Sequence, residues 1–248
     1  MLLLLIIIYI VFISLGLPDS LFGVSWPVVH LDFGIAESFA SLYSIVIAVC
    51  TGGVSFVAGK LIRRFGTGRV TLFSTLLTVF GILGISFSPN LWVMMAFAIV
   101  LGYGAGAIDT GLNNYVSLHY EARHMNWLHC FWGLGVTISP MIMSMFLGGE
   151  TGSWRTGYRV VALLQSAFAM IVLATLNKWK PESGTSEEKQ QVPDKSFVQL
   201  LRMNGVSTSI LSLGFYCSGE FILGTWGATY AVNAFEIAPD VAAKWVSL

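Results

Sequence analysis

The sequence predicts an all-α membrane protein, and two observations carry that prediction. Of its 248 residues, 55% are hydrophobic and only 10% are charged, whereas about 25% of a soluble domain is charged. Apolar runs long enough to cross a bilayer as helices, which takes about 20 residues, recur between short polar breaks. Too little polar surface remains to cover a soluble globule.

The first apolar run covers residues 2–29. It is too long for the core of a signal peptide and has no small-residue cleavage site, so we expect it to stay as the first spanning helix. Six more runs of spanning length follow, and the stub of an eighth helix begins near Pro239. The predicted spans are 2–29, 39–59, 70–88, 91–116, 125–149, 158–176 and 207–234.

The basic residues predict the orientation. Most of the thirteen Lys and Arg fall in alternate breaks, after helices two, four and six. Because cytoplasmic loops retain Lys and Arg, we expect a multi-pass protein of the cell (plasma) membrane with a cytoplasmic N-terminus. The formal net charge is zero, which gives no reason to expect a nucleic-acid partner.

One long hydrophilic stretch divides the chain. It predicts a six-helix transmembrane bundle over 1–176, a cytoplasmic linker over 177–203 and the start of a second bundle over 204–248. The motif FGIAESFASLYS from Phe33 is echoed by FEIAPDVAAKWVS from Phe235, which indicates a parallel repeat. Parallel repeats related by an axis along the membrane normal occur in secondary transporters. The second copy stops within its second helix, so we expect further C-terminal helices.

The break after helix two reads GKLIRRFGTGR. It resembles the signature loop between helices two and three of major facilitator transporters, and that resemblance implies a gating loop formed by Gly59, Arg63, Arg64, Gly66 and Arg69. The family usually has an aspartate at the position of Arg63, so its charge relay does not carry over intact. The alternative is that this loop is basic only because it is cytoplasmic.

Three further segments resemble the fucose:proton symporter family: LPDSLFGVSW, GAIDTGLNNYV and HMNWLHCFWGLG. The resemblance implies a major facilitator six-helix bundle, followed here by a seventh helix and a partial eighth. It also implies that Asp19 and Asp109 take part in proton coupling and sugar binding. Fucose-specific members carry amides at the positions of His129 and Trp132, so the resemblance does not extend to fucose itself.

Physical chemistry selects the same acids and adds Glu220 as a third proton-coupling candidate. A carboxylate near the bilayer centre costs about 2.5 to 3.5 kcal/mol, so each is expected to face a cavity or a partner. Burial disfavours the charged form, which suits these groups to load and release a proton. For Asp19 an alternative stays open, since it could cap a helix break after Pro18.

The substrate-binding candidates combine amides with aromatic rings. Asn113 shares a helix face with Asp109, and an aromatic face can pack on a sugar ring while polar groups bind its hydroxyls. Asn113 could instead join helices, and Trp226 could be an interfacial aromatic. The candidates are Asn113, Asn114, His129, Trp132 and Trp226.

The expected function is proton-coupled uptake of a sugar or similar polar small solute by alternating access. The alternatives are proton-coupled efflux of drugs or other organic solutes, and a truncated fragment that does not transport. The sequence has no phosphate-binding loop, no clustered metal ligands and no nucleophile with its base. It therefore predicts no enzyme activity, no cofactor and no metal.

Overall fold

The computed structural model describes residues 2–148, 152–179, 199 and 201–247, and its regular elements in these ranges are all helices. The long helices are α1 (Leu2–Asp32), α2 (Phe39–Phe65), α3 (Thr67–Ser86), α4 (Leu91–His119), α5 (Ala122–Leu147), α6 (Trp154–Ala174), α7 (Val206–Phe235) and the shorter α8 (Pro239–Val246). Within the described ranges, α1 to α7 are each long and apolar enough to cross a membrane. The predicted all-α membrane class is confirmed.

The predicted loop after helix two is mostly helical. Helix α2 runs to Phe65 and α3 begins at Thr67, so Arg63 and Arg64 lie on the last turn of α2. A helix of 27 residues is about 40 Å long and therefore exceeds a hydrocarbon core of about 30 Å. Basic side chains on its overhang reach the headgroup region. Only Gly66 joins the helices, with a φ of 82° that favours glycine.

Helix α1 lies at the centre of the bundle and packs against α5, α6 and α7, while α3 lies between α4 and α6. The crossing of α1 and α5 is close because two glycines meet there. A Cβ on Gly16 would overlap the Trp132 carbonyl, and one on Gly135 would overlap the Ile13 carbonyl. Small residues permit such approaches between membrane helices.

The glycines of α4 have separate partners. Gly102 and Gly106 lie against α2, at Cys50 and Thr51 respectively, whereas Gly104 lies against the Ser74 carbonyl of α3. Helix α4 thus presents thin flanks to two neighbours, and its polar residues Asp109 and Asn113 follow further along the same helix.

The start of α1, the α4–α5 connection and the α2–α3 junction share one end of the bundle, which we call the basic end. The Tyr9 hydroxyl bonds to His124 Nδ1 at 2.7 Å, and the Trp179 ring covers Gly68. After α6, Leu176–Lys178 form one 3-10 turn. Residues 180–198 and 200 of the predicted linker lie outside the described residues, so the linker stays a prediction.

The two copies of the sequence repeat form similar turns. Gly34, after Phe33, has a φ of 64°, and Glu236, after Phe235, has a φ of 53°. In the first copy the Ile35 amide donates to the His30 carbonyl at 3.0 Å and the Gly34 amide to the Leu31 carbonyl at 3.1 Å, which is a Schellman end. Helices α7 and α8 therefore repeat the connection between α1 and α2.

Candidate functional site

Asp19 lies on the open side of α1. The helix continues through Pro18, so Asp19 does not cap a break. Its side chain is exposed although both neighbours, Pro18 and Ser20, are buried. The Trp132 indole donates to Asp19 Oδ2 at 2.8 Å, and the Ser20 hydroxyl donates to the Val136 carbonyl at 2.9 Å. The close crossing of α1 and α5 thus brings this predicted acid to a predicted aromatic.

Asp109 and Asn113 form a second pair within α4. The Asn113 amide nitrogen donates to Asp109 Oδ1 at 2.8 Å and to the Asp109 carbonyl at 3.0 Å. Both residues are half-buried, and the four-residue spacing places them on one face as predicted. The pairing uses the donors of the amide and leaves its oxygen, an acceptor, for another group.

Electrostatic interactions connect the two pairs. Asp19 lies within electrostatic range of Asp109 and of Glu220, and His129 lies within electrostatic range of Asp109. These residues belong to four different helices, α1, α4, α5 and α7. The His129 ring also meets Phe12 edge to face, with centroids 6.0 Å apart. The three predicted proton-coupling acids are therefore linked to one another and to Asn113, His129 and Trp132 by electrostatic interactions and hydrogen bonds.

Two predicted substrate-binding residues lie elsewhere. Asn114 lines an open pocket of about 460 Å³ between α2 and α4, with Ser55, Lys60, Arg63 and Thr110 among the other lining residues. One residue along a helix turns the side chain by about 100°, which separates Asn114 from the face of Asn113. Trp226 is half-buried and packs against the apolar core farther from the basic end. The structure does not join either residue to the acid pairs.

The predicted gating residues surround the junction of α2 and α3. The Arg63 guanidinium lies 3.6 Å from where a Gly59 side chain would begin, and that of Arg64 lies 5.3 Å from the Phe65 ring centroid. Arg69 is exposed. These arginines have no acidic partner in the part of the chain that the structure describes. At the end of α2 the positive charges are instead favoured by the helix dipole.

The sequence did not predict the polar contacts at the end opposite the basic end. The Arg155 guanidinium and the Trp154 indole both donate to Asp32 Oδ2, which ties the start of α6 to the end of α1. A second cluster joins Glu37 to Asn233 of α7. Asp32 and Glu37 were recognisable in the sequence as acidic residues in a short polar break. Their partners could not be identified because they lie far away in the sequence.

Comparison with known families identifies the fold. The sequence profile of the Major Facilitator Superfamily matches residues 8–247. The chain belongs to the major facilitator superfamily. The family's helix bundle accounts for the packing described above.

Individual members of the superfamily have low sequence identity to this chain. The niacin transporter NiaP of Acinetobacter baylyi is 28% identical over 164 residues, or 64% of this chain and 34% of that protein. The sodium-dependent glucose transporter 1 of Danio rerio is 26% identical over 150 residues, 58% of this chain and 25% of that protein. The matched region thus spans about a third or less of these relatives.

A solved structure has the same fold. The crystal structure of a D-xylose-proton symporter superposes with a TM-score of 0.67 at 12% sequence identity, covering 98% of this chain and 64% of that one. At that identity the likeness establishes the fold alone. It confirms the major facilitator architecture that the sequence motifs implied.

Proposed function

We propose that this chain is the first half, with the start of the second, of a symporter that couples proton entry to uptake of a sugar or similar polar small solute. The observation that carries the proposal is that Asp19, which the Trp132 indole contacts across the crossing of α1 and α5, interacts electrostatically with Asp109 of α4 and Glu220 of α7. Carboxylates inside a membrane bundle mark ion or substrate pathways. The named activities of the niacin, glucose and D-xylose transporters support a small polar solute.

The neighbours of the acids suit a hydroxyl-rich solute. The Trp132 indole holds Asp19 at 2.8 Å and still presents an aromatic ring, while Asn113 keeps an oxygen beside Asp109. Aromatic rings with a few converging polar groups are the usual lining of small-molecule sites. We assign Asp19, Asp109 and Glu220 to proton coupling, and Asn113, His129 and Trp132 to the solute.

The orientation follows from the ends of the bundle. Lys60, Arg63, Arg64 and Arg123 lie at the basic end, which we propose faces the cytoplasm together with the N-terminus. The opposite end then faces the outside of the cell membrane. The α2–α3 junction with Gly59, Arg63, Arg64, Gly66 and Arg69 is proposed to gate the cytoplasmic side during alternating access. The finer assignment to the fucose:proton branch rests on the three resembling segments.

The substitution Asp109→Asn tests the coupling in the complete transporter that we propose contains this chain. An amide resembles a protonated acid but cannot release a proton, so gradient-driven accumulation should be lost while exchange of the solute continues. Radiolabelled uptake into proteoliposomes with a pH gradient, beside counterflow without one, separates the two activities. The matched control Glu121→Gln changes an exposed acid at the basic end, outside the acid pairs, and should retain both activities. Normal accumulation by Asp109→Asn would contradict the role of this residue.

A second candidate is sodium coupling, which the sodium-dependent glucose transporter favours as a relative. Imposing a sodium gradient at constant pH discriminates the two ions, because only a sodium-coupled carrier should then accumulate solute. Efflux of organic solutes is tested by reversing the gradient with the same proteoliposomes. If the 248-residue chain alone fails with every gradient and in counterflow, the alternative of a fragment that does not transport is favoured.

A further inference from the structure

Helix α7 touches the six-helix bundle along only one half of its length. Every described side chain from 207 to 223 is exposed, whereas Thr225, Ala228, Thr229 and Ala231 are buried. The buried part begins where Gly23 of α1 meets the Gly224 carbonyl so closely that a Cβ on Gly23 would overlap it. Helix α7 thus packs against the first six helices at the end opposite the basic end, which we call the outer end. Toward the basic end it lies apart from them.

Polar side chains tie the outer end together. The Asn233 amide nitrogen, in the last turn of α7, donates to Glu37 Oε1 at 3.0 Å and to Oε2 at 3.1 Å. Closer to the membrane centre the hydroxyls of Ser44 and Thr225 lie 3.4 Å apart. Both carboxylate oxygens of Glu37 accept from Asn233, whereas Ser44 and Thr225 share a single longer contact.

Glu37 is held in place from the side of the first half. Its backbone carbonyl accepts a 2.9 Å bond from the indole of the fully buried Trp26. His30 Nε2 lies 3.6 Å from Glu37 Oε1, and His30 Nδ1 donates to the Ile35 carbonyl at 3.2 Å. The carboxylate is therefore a fixed acceptor to which α7 can dock or from which it can depart.

We propose that Glu37 and Asn233 form a latch that keeps the outer end of the transport pathway closed and must open whenever the pathway faces outward. This deepens the alternating-access function proposed above and rests on it. The chemistry of the pair suits a contact that breaks in every cycle. When the contact breaks, the Asn233 amide can bind water and the Glu37 carboxylate still has His30 as a neighbour. Opening therefore leaves no unpaired buried charge.

Disulfide trapping tests the geometry without any substrate. In a background with Cys50, Cys130 and Cys217 changed to Ser, Glu37→Cys with Asn233→Cys should cross-link rapidly in native membranes under mild oxidation. The control pair, Glu37→Cys with Ser212→Cys, places the second thiol on the exposed half of α7 and should not cross-link. Equal behaviour of the two pairs would overturn the latch while leaving the proposed transport function intact.

Accessibility tests whether the contact holds the end closed. Ser44→Cys, buried beneath the crossing, serves as a reporter for a membrane-impermeant maleimide added from outside. Asn233→Asp opposes two carboxylates and should raise the labelling rate about tenfold, as expected for losing a hydrogen bond to a charged group. Asn233→Gln keeps the amide donor and should restore slow labelling. Unchanged labelling in Asn233→Asp, in folded protein of normal abundance, would overturn the proposal.

Discussion

At the residue scale, the Asp19 and Asp109 carboxylates each face a hydrogen-bond donor rather than an unrelieved apolar surface. Trp132 donates to one and Asn113 to the other. An acid without such a partner would carry the full cost of desolvation inside a bilayer. The sequence could predict Asn113 as a partner because four residues of helix separate it from Asp109. It could not predict which acid Trp132 contacts, since that depends on how α1 crosses α5.

Substitutions at Gly34 and Glu236, the two turn residues with positive φ, should change the free energy of unfolding in opposite directions. A Cβ on Gly34 would meet nothing within 4 Å, so Gly34→Ala adds only backbone strain and should lower the free energy of unfolding by about 1 kcal/mol. Glu236→Gly relieves the same strain in the second copy and should raise it by about 1 kcal/mol. Thermal unfolding in detergent measures both effects.

A matched control for this pair lies within helix α2. An added methyl group at Gly52 would also meet open space, but the backbone there is helical. Ala is the better helix former by about 1 kcal/mol, so Gly52→Ala should stabilise the protein where Gly34→Ala destabilises it. A stabilising effect of Gly34→Ala would show that its positive φ carries no strain in solution.

At the scale of elements, the existence of each spanning helix was predictable, because a bilayer forces every backbone group to be satisfied within its own segment. The ends were less predictable. Helix α2 extends to Phe65, six residues beyond the predicted end at Gly59, since hydropathy marks where charge begins and not where hydrogen bonding stops. Which helices touch was not readable either, because Gly16 and Gly135 look like any other glycines in the sequence.

The crossing of α1 and α5 predicts a difference between two nearby glycines. Gly135→Ala would place a methyl group on the Ile13 carbonyl, whereas Gly133→Ala meets nothing within 4 Å. The first should destabilise the protein by about 1 to 3 kcal/mol, the usual penalty for overpacking, and the second should be neutral or stabilising. Thermal unfolding of the two variants side by side checks this, and similar melting temperatures would argue against the close crossing.

At the scale of the whole molecule, the repeat was visible in the sequence because FGIA in the first copy matches FEIA in the second. In the structure, each of these segments contains a residue with a left-handed backbone conformation. The contact of Glu37 with Asn233 was not visible, since it joins segments from opposite halves whose relative position no local pattern encodes. The same limit applies to Trp179, which the composition around it assigns to a flexible linker. In the structure its side chain is buried against α3 and α4.

Trp179 fixes the point from which the chain leaves the first six helices toward the second half. Its ring lies where a Gly68 side chain would be, with Cγ 2.5 Å from the position of that Cβ, and it meets Tyr115 edge to face at 5.5 Å. Gly68, the second glycine of the GTGR sequence, thus provides space for Trp179, the first aromatic residue after α6. The connection to the second half begins from a packed anchor on the α2–α3 junction.

A double-mutant cycle tests this anchor. Gly68→Leu should destabilise the protein because its side chain displaces the Trp179 ring, and Trp179→Ala should lower the free energy of unfolding by about 3 kcal/mol through the cavity that it leaves. In the double variant the leucine occupies that cavity, so the combined loss should be smaller than the sum by about 1 kcal/mol or more. Thermal unfolding of the four proteins in one detergent gives the coupling energy. Strict additivity would mean that the two residues do not touch, and the linker would then leave the bundle without an anchor.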